Sequence, residues 1–254
     1  MGKTVVAVIP ARYASTRFPG KPLIDLGGKP MIVHVLHRVQ QAKLIDRVLV
    51  ATDDERIRSA VESAGGEAVM TDSSLASGTD RVQAAVQGIP CDVVANVQGD
   101  EPLIEPEQID EAIRILLDDE SVQMGTLVHQ LSNLEDLFNP NVAKVVLDQQ
   151  GYALYFSRSV VPFIREQDRL EEGLNGHPFY KNVGLYVYRK AFLKQYAGWQ
   201  PTALEIAEKL EQLRALENGV RIKTAITRWE PVCVDTPEDA ERVRHMMAVH
   251  SERN

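Results

Sequence analysis

Residues 4–9, TVVAVI, run straight into residues 10–22, PARYASTRFPGKP. The first segment is an unbroken, largely β-branched apolar run, which reads as a buried strand. The second is turned at Gly20, stiffened by Pro19 and Pro22, and carries Arg12, Arg17 and Lys21 with no acid among them. A stiff basic loop at the carboxyl end of a first buried strand is where open α/β sheets bind anionic ligands. Arg and Lys neutralise phosphate charge, and Arg can do so through two parallel bonds. The loop fits neither G-x-x-x-x-G-K-[ST] nor G-x-G-x-x-G. Its plain alternative is a solvated βα turn with three chance cations.

Outward from that loop, strands and helices alternate. Pro30 opens a helix with Met31, Val35 and Val39 on its apolar face. Residues 47–52 (RVLVAT) form a second strand, Asp53-Asp54 caps a helix that Gly65-Gly66 ends, and residues 67–71 and 91–97 are further strands. Short links between alternating elements predict βαβ units and a mostly parallel sheet flanked by helices. The pattern changes after a strand over 125–131. Residues 143–148 and 152–157 read as a β-hairpin around Gln149-Gln150-Gly151. Residues 162–178 form a long charged loop and 180–188 a strand, so 130–190 is expected to be an antiparallel insertion within a single domain spanning 1–254. Its aromatic residues Tyr152, Tyr155 and Phe156 look exposed. Leu204, Ala207, Leu210, Leu213 and Leu216 predict one amphipathic helix over 202–218, closed by Asn218-Gly219. A strand over 221–228, a short strand over 232–234 and a last helix opened by Thr236-Pro237 complete the chain.

Composition narrows the function. The chain has 254 residues, 44% of them apolar and 25% charged, as in an ordinary soluble enzyme. A net charge of −8 argues against nucleic acid as a partner. Residues 10–29 nevertheless hold four basic residues and one acid, a local reversal that suits a small anionic ligand. Cys91 and Cys233 each adjoin an apparent strand and are expected as buried free thiols. No apolar run approaches 18 residues and the amino terminus leads directly into a strand, so a cytoplasmic protein with no membrane partner is expected.

Two acids stand apart. Asp100, in Gln98-Gly99-Asp100-Glu101-Pro102, and Asp235 each follow the end of an apparent strand. In a parallel sheet those ends share the edge that bears the basic loop. Two carboxylates facing bound phosphates suggest Mg²⁺, which takes few carboxylates and completes its shell with water and phosphate oxygens. Gly99 would let the backbone approach closely beside Asp100. Asp235 has a second reading, as the cap before Thr236-Pro237. The turn Ser77-Gly78-Thr79-Asp80-Arg81 could face a base or phosphate, or could simply cap a helix. The histidines, His34 and His37 included, show no metal-ligand spacing.

The basic loop, SGTDR (77–81), VQGDEP (97–102), KVVLDQQGYALYFSR (144–158), LEQLRALENG (210–219) and VDTPED (234–239) occur in this order. Together they resemble the 3-deoxy-manno-octulosonate (Kdo) cytidylyltransferases over nearly the whole chain. The resemblance implies a Rossmann-like nucleotidyltransferase fold and a homodimer. It implies transfer of CMP from CTP to the C2 hydroxyl of the eight-carbon sugar acid, for lipopolysaccharide. Arg12, Arg17 and Lys21 would hold the triphosphate, with Arg12 and Lys21 also catalytic. Ser77, Gly78 and Arg81 would hold cytidine, Asp100 and Asp235 the Mg²⁺, and Gln98, Tyr186, Glu211 and Gln212 the sugar acid. Asn182 stands where many relatives carry His in the sugar pocket, which admits an amino-substituted octulosonate as an alternative substrate. A nucleotide-sugar-using glycosyltransferase and a non-catalytic CTP-binding regulator are the rival classes.

Overall fold

In a computed structural model, which describes residues 2–14, 18–165, 174 and 178–251, the opening apolar run becomes β1 (Val5–Ala11). Val5 through Ile9 are almost wholly buried, as a strand covered on both faces requires. It pairs in parallel with β2 (Arg47–Thr52) on one side and β4 (Val93–Asn96) on the other. β3 (Glu67–Met70) adds to β2, also in parallel. Helices α1 (Met31–Val39), α2 (Glu55–Ser63) and α3 (Gly78–Ala85) connect these strands. Pro30 is the cap of α1 rather than its first residue. Asp54 caps α2 as expected, accepting from the Arg56 amide. The close packing that ends α2 needs a glycine: a Cβ at Gly66 would lie 2.4 Å from Leu36.

The chain divides into two compact units, one of Met1–Asp110 with Pro231–Asn254, the other Glu111–Glu230. Helix α4 (Pro106–Asp118) carries the chain from the first into the second. The second unit contains the expected antiparallel stretch. β6 (Lys144–Leu147) and β7 (Ala153–Ser157) form the hairpin. β8 (Tyr180–Arg189) runs antiparallel to β6 and to β5 (Met124–Gln130), and β9 (Ile222–Thr227) lies parallel on the far side of β5. Helices α5 (Leu134–Phe138) and α6 (Lys190–Ala197) lack a strong sequence signal.

Four expectations need correction. The helix over 202–218 is broken into α7 (Ala203–Glu208) and α8 (Leu213–Glu217), because Lys209 adopts a left-handed conformation, φ 53°. Residues 232–234 form no strand; the Val234 amide instead donates to the Asp100 carbonyl at 2.9 Å. Cys233 is exposed and Cys91 half-buried. Phe156 is fully buried, and Tyr152 lies under the Arg221 guanidinium, 3.6 Å from its ring centre. The chain returns to the first unit for α9 (Pro237–Ser251), whose face joins Leu26, Met31, Val234, Ala240 and Val243 in one apolar cluster. Arg17 and most of the charged loop over 162–178 lie outside the described residues.

Candidate active site

The carboxyl ends of β1 and β4 point their following loops the same way, as parallel pairing demands. After β1 the chain turns at Gly20, φ 74°, and enters a short 3-10 turn at Lys21–Leu23. After β4 it passes through Gly99. A Cβ there would stand 2.8 Å from the Pro10 carbonyl oxygen, so only glycine lets the two loops come this close.

That approach brings three charges together. Lys21 Nζ donates to Asp100 Oδ2 at 2.7 Å and to Asp235 Oδ1 at 3.1 Å. The Lys21 ammonium is mostly buried, while the two carboxylates keep 28% and 42% of their surface, so the cluster has an open side. Burial pulls the Lys21 pKa down, but the charges and bonds of Asp100 and Asp235 outweigh it and hold it above the ordinary value.

The cap reading of Asp235 fails on geometry. Thr236 caps α9: its hydroxyl accepts from the Asp239 amide, and Asp239 Oδ2 accepts from the Thr236 and Asp235 amides. This is a capping box, and it leaves the Asp235 carboxylate to Lys21. The TPED segment already contained that signal.

Two carboxylates that converge on one cationic nitrogen form a donor set suited to a hard divalent ion, which accepts one or two protein carboxylates. Among the described residues no group of three or more His, Cys, Asp or Glu could hold an ion. The remaining ligands would come from phosphate and water.

Glu101 is the neighbour that sequence reading passed over. It is 2% exposed, and one carboxyl oxygen has no hydrogen-bond partner among the described residues. Burial, then the charge of Asp100, pushes its pKa up to about 8. Near neutrality it is therefore mostly protonated and adds little negative charge beside Asp100.

The expected nucleotide residues divide into three placements. Arg12 donates to the carbonyls of Leu75 (2.5 Å) and Ser77 (3.0 Å), tying the basic loop to the turn before α3. Ser77 caps α3 in a capping box with Asp80, and Gly78 is the first residue of that helix. Arg81 has no exposed surface. It pairs with Asp53 at 2.8 Å and bonds the Thr71 hydroxyl, while its Nε has no acceptor among the described residues. Asp53 is thus the counter-ion of Arg81, a long-range role that no local pattern announces. Gln98 sits in the turn after β4, its amide nitrogen 3.5 Å from Asn96 Oδ1.

The second unit gathers the other expected sugar residues. A bulge in β8 opposite β5, between the pairs Thr126–Tyr186 and Val128–Asn182, shortens the strand locally. Asn182 Nδ2 can then donate to the Tyr186 hydroxyl at 2.7 Å. Thr126 Oγ1 braces the bulge against the carbonyls of Val183 and Leu185. Burial raises the Tyr186 pKa, and the charge of Glu211 adds to the rise. Tyr196 donates to the Glu211 carbonyl at 2.7 Å. Gln212 is 6% exposed, yet among the described residues its side-chain nitrogen has no partner. An orphaned buried donor is costly unless a ligand satisfies it.

Comparison with known proteins shows what the chain resembles. A family model described as cytidylyltransferase matches residues 6–222. The 3-deoxy-manno-octulosonate cytidylyltransferase of Geotalea uraniireducens is 54% identical over 243 residues, 94% of this chain and 97% of the relative. That of Parabacteroides distasonis is 50% identical over 249 residues, covering 96% and 98%. A solved CMP:2-keto-3-deoxy-manno-octonic acid synthetase complexed with CTP superposes with a TM-score of 0.90 at 40% identity, covering 97% of this chain and 99% of that one. A cytidylyltransferase from Leptospira borgpetersenii, at 17% identity and TM-score 0.64, shares the fold.

Proposed function

The chain belongs to the 3-deoxy-manno-octulosonate cytidylyltransferases, and from that premise we propose how its residues divide the work of the reaction. The enzyme transfers CMP from CTP to the C2 hydroxyl of Kdo and releases pyrophosphate. The observation that carries the division is the convergence of Lys21 on Asp100 and Asp235 at the carboxyl edge of a parallel sheet.

Asp100 and Asp235 would hold Mg²⁺. When bound, that ion offsets the repulsion between a sugar acid and a triphosphate and makes a ligated hydroxyl more acidic. Lys21 would shift from the carboxylates to phosphate oxygens and stabilise the charge that grows on departing pyrophosphate. Arg12 stands in the same loop and supplies a second cation, with Arg17 proposed as a third. Ser77 and Gly78 present the start of α3 to the nucleotide, and the unsatisfied Nε of Arg81 supports a place for that residue in cytidine binding. Gln98, Asn182, Tyr186, Glu211 and Gln212 are assigned to the sugar acid; the unpaired Gln212 donor supports this.

The product would supply an activated sugar acid for lipopolysaccharide. The working form is proposed as a cytoplasmic homodimer. Leu154 on β7 and Ile206 on α7, 60% and 54% exposed, favour burial against a second copy. Among the described residues no helix is long and apolar enough to cross a membrane.

The test is pyrophosphate release with Kdo and each of CTP, UTP, ATP and GTP, with and without Mg²⁺. Release with CTP and Mg²⁺ alone supports the proposal. Equal release with UTP, or full release in excess chelator, contradicts the assigned chemistry.

A further inference from the structure

We propose that Arg158 is a positioning residue for the sugar-acid side of the reaction, setting the turn that carries Glu211 and Gln212. This rests on the assignment of that turn to Kdo.

The turn exists because the helix stops. At Lys209 the backbone goes left-handed, φ 53° and ψ 44°, a conformation in which the Cβ crowds the following carbonyl oxygen. Among the described residues it is the one non-glycine position with positive φ. Something must hold it, and the last carbonyls of α7 need donors.

Arg158 supplies them. It follows β7, and its Nε donates to the Glu208 carbonyl at 2.6 Å, with Nη2 to the Lys209 carbonyl at 3.3 Å. Nη1 reaches the Pro140 carbonyl at 2.8 Å and anchors the guanidinium from the other side. The contact is reciprocal. The Glu208 carboxylate accepts from the Arg158 amide at 2.9 Å and from the Ser157 hydroxyl at 2.7 Å. Residues 157–158 and 208–209 are thus locked by main chain and side chain in both directions.

The far end of the turn is held separately. Arg214 forks onto both carboxylate oxygens of Glu205 at 2.8 and 2.5 Å, and Tyr196 holds the Glu211 carbonyl. Between these anchors lie Glu211, whose charge reaches Tyr186, and Gln212 with its unsatisfied buried donor. If residues 203–217 wound as one helix, Glu211 and Gln212 would leave these positions. A small displacement of a substrate-orienting group costs far more than its lost contact suggests.

The test is steady-state kinetics of Arg158→Ala, Arg158→Lys and Gln212→Ala, with KM measured for each substrate. Arg158→Ala should raise the KM for Kdo by about tenfold or more while the CTP KM stays within about twofold, because lost ground-state positioning appears in the affected substrate alone. Arg158→Lys, whose single nitrogen cannot span the three carbonyls that the guanidinium reaches, should fall between. A parallel rise in both KM values, or no rise in either, would overturn the inference. If Arg158→Ala does not fold, Glu208→Gln is judged by the same split. Gln212→Ala separates the two levels. If it raises the Kdo KM and Arg158→Ala does not, the positioning role alone fails. If neither moves the Kdo KM, the assignment of the turn to the sugar fails as well.

Discussion

Lys21 lies between Asp100 and Asp235, the two carboxylates proposed to hold a divalent cation. A half-buried ammonium at 2.7 and 3.1 Å from two carboxylates already neutralises part of their charge. Replacing Lys21 with Met should therefore tighten Mn²⁺ binding to the nucleotide-free protein by on the order of tenfold, since a like charge within a few ångströms is removed. The same variant should require more CTP. Mn²⁺ titration followed by electron paramagnetic resonance reads the first effect directly, and an unchanged affinity would show that Lys21 does not compete for the site. Asp100→Asn and Asp235→Asn should each slow turnover at least about a hundredfold, because a catalytic metal supplies several kcal/mol and each 1.36 kcal/mol is tenfold. Near-normal turnover of Asp235→Asn in Mg²⁺ would remove it from the metal site. Much of this trio was legible beforehand. Gly99 beside Asp100 announced a close approach, and the basic loop announced an anion. The cap reading of Asp235 was open in the sequence, and the structure gives that place to the Thr236–Asp239 box. The Arg81–Asp53 pair and the raised pKa of Glu101 were illegible, because both depend on burial by residues remote in sequence.

Among the elements, β1 and its parallel neighbours followed from apolar runs and turn chemistry alone, and the hairpin of β6 and β7 from Gln149-Gln150-Gly151. The break between α7 and α8 did not. Apolar residues every three positions from Leu204 to Leu216 fit a single helix, and Lys209 is no helix breaker. What overrides the local preference is tertiary: Arg158 on the carbonyls and Arg214 on Glu205. Glu205 makes this testable by pH. Burial raises its pKa, but the Arg214 bonds and the Thr202 amide bring it below the ordinary glutamate value. A carboxyl whose pKa is lower in the folded chain stabilises the fold above its unfolded pKa of about 4.3, and loses that contribution as pH falls through the folded value. Glu205→Gln should thus be less stable than the parent at pH 7, with the gap closing below about pH 4. Urea unfolding of both proteins at pH 7 and pH 3.5 measures it, and a gap that widens in acid would contradict the assignment.

On the scale of the whole molecule, a net charge of −8 coexists with a basic loop at one sheet edge, which fits a polyanionic nucleotide rather than a nucleic acid. The first unit contains Arg12, Lys21, Asp100, Asp235 and Gln98, and the second contains Asn182, Tyr186, Glu211 and Gln212. The exposed Leu154 and Ile206 predict a dimer that Leu154→Lys should weaken, read as a shift toward monomer mass in light scattering at micromolar concentration; a parent that is already monomeric there would contradict the homodimer. The central claim is a chemical one, that a cytidylyl group passes intact to the sugar acid. Phosphorus NMR of the protein mixed with CTP, Kdo and Mg²⁺ tests it most directly. The account predicts one phosphodiester resonance growing in step with one equivalent of pyrophosphate, both abolished in Asp100→Asn. Release of inorganic phosphate with CDP, or pyrophosphate formed without a phosphodiester, would contradict it.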